Sequence, residues 1–203
     1  MNENVLSKRI CDFSKAIDIM QIIIICFCAL VVPTFVPQWL KAIFGAQSLI
    51  GANSQLIVGT IVNAALITAA INLKGWKKIV GIVTLPSISN LLGGYVFKTA
   101  SPYMIYMIPA IWIGNFVLVY AYKLILVSKQ KNYFLTGSIG VAIKVAIIFV
   151  CFNILNAFAI FPEKVATMFK IAMGSTQAIT ATCGVLVSFF IYYPIKNLKE
   201  RKY

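Results

Sequence analysis

The chain has 203 residues, 61% of them hydrophobic and only 11% charged, with a mean hydropathy of +0.91. Eighteen Lys and Arg face five Asp and Glu, and there is no histidine. A soluble domain carries roughly a quarter charged residues, so an ordinary water-soluble enzyme is excluded. The missing His and scarce acids also remove the commonest general bases, metal ligands and carboxylate pairs.

A helix needs about 20 apolar residues to cross a bilayer. Six stretches qualify, at roughly 17–36, 50–73, 78–97, 103–127, 137–161 and 172–193. They predict an all-α membrane protein, a single six-helix membrane domain over residues 1–203. Pro33, Pro37 and Trp39 are expected to close the first span. It lacks a small-residue cleavage site and reads as a retained helix, not a signal peptide. Lys74 to Lys78 separates the second span from the third, Thr99 to Pro102 the third from the fourth, and Ser128 to Asn132 the fourth from the fifth. Pro162 and Glu163 lead into a short amphipathic piece, Val165 to Ile171, expected at the membrane interface before the sixth span.

The basic residues report topology. Thirteen fall on one side of this layout: Lys8, Arg9, Lys15, Lys74, Lys77, Lys78, Lys123, Lys129, Lys131, Lys196, Lys199, Arg201 and Lys202. Four (Lys41, Lys98, Lys164 and Lys170) fall on the other. The positive-inside rule then places both termini in the cytoplasm, and the net charge of +13 ceases to argue for nucleic acid. No nucleic-acid partner is expected; the lipid bilayer is. Lys144, about 12 Å into the fifth span, is expected to snorkel to the headgroups or to meet a cytoplasmic subunit. The five cysteines form no C-x-x-C and read as small apolar residues.

Polar groups inside a span are either glue between helices or part of a pathway. Gly51, Gln55, Gly59 and Asn63 form one small, polar stripe at i+4 steps, with Asn53 at its mouth. Tight helix packing accounts for the glycines equally well. The run Pro86-Ser87-Ile88-Ser89-Asn90 is expected to kink or interrupt the third span. Tyr106, Trp112 and Asn115 sit in the fourth span, Asn153 and Asn156 in the fifth, Gln177 and Thr180 in the sixth. By depth these groups concentrate in the outer half. They predict an outward-facing pocket with neutral hydrogen-bonding groups and aromatic walls. The expected binding set is Asn53, Gln55, Asn90, Tyr106, Trp112, Asn115, Asn153, Asn156, Gln177 and Thr180, with no catalytic residue, metal or cofactor.

Six helices in about 200 residues, cytoplasmic termini and an outward pocket resemble the substrate-binding S component of energy-coupling factor (ECF) transporters. Three stretches carry the likeness: Leu85 to Gly94, Tyr103 to Pro109, and Met173 to Ala181. The resemblance implies capture of a vitamin-like small organic solute outside the cell; the excess of Lys over Arg and the abundant Ile point to a bacterial plasma membrane. The resemblance also implies a transmembrane coupling subunit and two cytoplasmic ATPases as partners, and a gate formed by the Gln38–Leu49 loop with the third-to-fourth loop. The chain departs from the family in lacking the alanine-x-x-x-alanine face on the first span, and in having Asn115 where a glutamate is more usual. Without histidine, nickel or cobalt transport is disfavoured. The alternative is a structural or electron-transfer subunit of a membrane complex, for which Cys26 and Cys28 would be the only candidate ligands.

Overall fold

The computed structural model describes residues 18–93 and 98–200. Among them there is no strand, and five helices are long and apolar enough to cross a membrane. The elements are α1 (Asp18–Phe44), α2 (Ser54–Asn72), α3 (Trp76–Gly93), α4 (Met104–Ser128), α5 (Tyr133–Ala157), α6 (Glu163–Met173) and α7 (Ser175–Glu200). The lysines at 8 and 15, Arg9, Cys11 and Gly94 lie outside the described residues.

Helix α3 is the long helix that misses the apolar criterion. Lys77 and Lys78 open it, and Pro86, Ser87, Ser89 and Asn90 dilute its second half. The helix nevertheless continues through Pro86. The expected interruption does not occur there: a single proline removes one backbone hydrogen bond, and close neighbours can hold the helix together.

The first helix is longer than expected. It passes Pro33 and Pro37 and ends at Phe44, where Gly45 turns the chain with φ 86°. A π-helical stretch at Phe27–Val31 immediately precedes the prolines and loosens the backbone register there. At this junction the hydroxyls of Thr34 and Ser89 lie 2.6 Å apart, each within reach of the Leu30 carbonyl at 2.7 and 2.8 Å. Side chains of α1 and α3 thus satisfy backbone oxygen in a region where prolines remove amide donors. Because Gln38 to Phe44 is helical, the long gate loop expected over Gln38–Leu49 shrinks to Gly45–Ser48, followed by the single turn Leu49–Ala52.

Helix α5 begins four residues before its expected start. Asn132 caps it, accepting from the amides of Phe134 (2.8 Å) and Leu135 (3.2 Å). The amphipathic piece forms as α6 and buries Phe169, Ala172 and Met173.

Two seams organise the bundle. Helices α2 and α7 run parallel: a Cβ on Gly59 would meet Thr180 at 2.7 Å, and one on Gly184 would meet Asn63 at 2.5 Å. Helices α4 and α5 run antiparallel, with Gly114 against Ile148 and Gly140 against Leu118. Small residues let such backbones approach. Dispersion attraction between the touching surfaces then holds the helices together where lipid offers no hydrophobic drive.

Two apolar clusters fill the bundle. One occupies the lysine-rich end and includes Leu66, Leu73, Ile79, Leu118, Tyr122 and Val185. The other, at the opposite end, contains Met104, Met107, Phe152, Phe161, Phe169 and Met173.

Candidate functional site

Between the two clusters lies a half-open cavity lined by fifteen residues. All six long helices reach it. Pro33 comes from α1, Pro86 and Ser87 from α3, and Lys144 from α5. Helix α2 contributes Gln55, Val58, Gly59, Val62 and Asn63; α4 contributes Met104, Ile111 and Asn115; and α7 contributes Gln177 and Thr180, with Met173 from the end of α6. None of the fifteen lining residues is Asp or Glu.

Half of the lining is apolar, and the polar groups collect toward the middle of the bundle. Asn63 is 3% exposed and serves as a hub. Its Nδ2 donates to the Gly59 carbonyl (2.8 Å) and toward Thr180 Oγ1 (3.4 Å), while its Oδ1 accepts from Lys144 Nζ (2.5 Å). The Thr180 hydroxyl donates in turn to the Thr176 carbonyl at 2.8 Å. Three helices are tied by this one layer. Around it, Ser87 Oγ is buried with no partner, and the amides of Gln55, Asn115 and Gln177 make no hydrogen bond within the described protein. Buried polar groups are ordinarily paired; Ser87 and Asn115 are buried and Gln55 and Gln177 partly buried, and the three unpaired amides belong to residues that line the open space.

Of the ten residues expected to bind, Gln55, Asn115, Gln177 and Thr180 line the cavity. Asn53 does not: it precedes α2 and turns its Nδ2 back to the Leu49 carbonyl, 2.9 Å away. Tyr106 is half exposed and packs edge-on to Phe161, and Trp112 is exposed on the outer surface. Asn153 is exposed and donates to the Phe149 carbonyl, and Asn156 is exposed as well. The side chain of Asn90 lies outside the described residues.

Helical phase separates these residues. A residue turns about 100° around the helix axis. Tyr106 is therefore roughly 200° from Met104, and Asn153 roughly 180° from Lys144. Aromatic walls are thus absent from the described lining, whose apolar part is aliphatic, prolyl and thioether.

Lys144 corrects the sequence reading most sharply. It is 2% exposed and does not snorkel. With α5 starting at Tyr133, Lys144 sits eleven residues in, about 16 Å along the axis and close to the middle of a 30 Å hydrocarbon layer. Its stem lies over Gly114, where a Cβ would meet Lys144 Cγ at 3.3 Å, and its head turns across the bundle to Asn63. The sequence signal was present: Gly114 beside Asn115 on α4, and an amide at Asn63, supply the room and the acceptor that a buried lysine needs.

No protein family, curated protein or solved structure matches the chain. Function therefore rests on the cavity alone.

Proposed function

We propose that the protein is the membrane-embedded capture subunit of an importer of the energy-coupling factor type. In this reading it holds a small, vitamin-like organic solute in the central cavity. One observation carries the reading: a half-open cavity reached by all six long helices, with the unpaired amides of Gln55, Asn115 and Gln177 among its lining. A cavity kept only for packing would be filled or apolar, because empty space and unpaired polar groups both cost stability.

The lining residues of α2, α4 and α7 belong to the first half of each helix, away from Lys74, Lys77, Lys78, Lys129 and Lys131. If those lysines mark the cytoplasm, the cavity opens toward the outside. Val58, Val62, Met104, Ile111 and Met173 would enclose an apolar body, and Gln55, Asn115 and Gln177 would orient its polar edge. Energy for release inward would come from partners: a transmembrane coupling subunit and two cytoplasmic ATPases in a bacterial plasma membrane. The chain acts as a binder, not as an enzyme.

Native mass spectrometry of gently extracted protein, with thermal shifts against a vitamin panel, tests this. A bound small molecule with a raised melting temperature is expected. An empty protein with flat shifts across the panel would contradict the reading.

A further inference from the structure

We infer that the solute carries a single carboxylate, and that Lys144 is the residue that receives it. This rests on the capture reading above and narrows its substrate class. The placement of one side chain motivates it. Lys144 is fully enclosed near mid-bilayer, its protonated head would carry three donors, and the described protein gives it one neutral partner, Asn63 Oδ1. An amide oxygen offers a dipole, not a counter-charge, and a buried cation without an anion is costly. Ionisable groups held inside a membrane bundle mark binding or transport pathways for the same reason.

Among the described residues, the cavity lining supplies no acid to complete the pair. The acids whose side chains are described, Asp18 and Glu163, open α1 and α6 at the ends of those helices. The counter-charge is therefore brought by the ligand. Asn115, 3% exposed and without a hydrogen bond, adjoins Gly114, over which the lysine stem lies. It is placed to donate to the second oxygen of a carboxylate whose first oxygen meets Nζ.

One lysine balances one negative charge. No arginine is among the described lining residues, so none of them presents the planar fork that phosphate sites commonly use, and a dianion would leave charge uncompensated. An organic monocarboxylate with a small, largely apolar body fits this lining better than a phosphate ester, a free phosphate or a phospholipid headgroup.

The test compares wild-type protein with Lys144→Met and Lys144→Arg. Each is extracted gently from the same membranes, and the bound small molecules are identified and counted by mass spectrometry. The expected result is a near-stoichiometric organic acid with one acidic group on the wild type. Its occupancy should fall at least about tenfold in Lys144→Met and be largely retained in Lys144→Arg. A solute with no acidic group, a phosphate or phospholipid in its place, or unchanged occupancy in Lys144→Met would overturn the inference and leave the capture reading standing. No solute on the wild type would overturn both. Should Lys144→Met fail to fold, the chemical identity of the wild-type solute decides alone.

Discussion

The two halves of the bundle treat polar side chains in opposite ways. At the lysine-rich end they are used up by the fold. The Tyr133 hydroxyl lies 2.6 Å from Ser188 Oγ and 3.1 Å from the Val185 carbonyl, and its ring stacks on Tyr192 at 5.2 Å. Lys123 reaches back to the Leu73 carbonyl (2.6 Å) and so caps the end of α2. The exception is the Tyr122 hydroxyl, buried without a partner over Gly137. In the cavity half, by contrast, a buried serine and three amides stay unpaired, and a buried lysine has one neutral partner. Similar residue types do structural work where they close on each other, and remain available where they surround space.

Four substitutions probe that contrast, in falling order of their effect on stability. Gly184→Val should be the most damaging, because a Cβ there would lie 2.5 Å from Asn63 Cβ and 3.0 Å from the Ala64 amide nitrogen. Forcing the α2–α7 seam apart should cost about 3 kcal/mol and disturb both halves together. An unchanged melting temperature in detergent would show that this seam is not the spine of the bundle.

Tyr133→Phe should cost about 1 kcal/mol, the worth of its hydrogen bond, and leave solute occupancy unchanged. Loss of solute in that variant would erase the division between the halves. Lys123→Met removes a cation from the end of α2 and should cost about 0.5 kcal/mol, less at high salt. Comparing its melting temperature at two ionic strengths checks this.

Asn115→Leu should be nearly neutral, within about 0.5 kcal/mol, since its amide forms no hydrogen bond to lose. It should still abolish retention of the solute by filling the cavity with an apolar branch. A marked fall in stability instead would mean that Asn115 belongs to the structural half of the comparison.

The sequence disclosed the helical character, most of the spans, the polar stripe of α2 and the polar residues of α7. Hydropathy and i+4 spacing report helices and their faces directly. Gln55, Gln177 and Thr180 were legible for that reason. The ends were less so. Prolines were read as terminators, yet α1 absorbs Pro33 and Pro37 beside a π-helical stretch whose carbonyls find hydroxyls on α1 and α3. Asn132 was read as loop when it is a cap.

The site was half legible because depth along a helix can be counted from sequence, whereas the rotation that decides which face meets the bundle cannot. Tyr106, Trp112, Asn153 and Asn156 failed on rotation. Lys144 failed differently: a flexible lysine can run toward the headgroups or across the bundle, and only the space over Gly114 and the acceptor on Asn63 select the second path.

The central claim is that the unpaired groups around the cavity exist to hold a solute. The most direct measurement counts small molecules bound to wild-type protein and to Asn115→Leu, extracted side by side from the same membranes and matched for melting temperature. The account predicts near one bound solute per wild-type chain and none on the variant. Equal occupancy of the two proteins, or none on either, would contradict it.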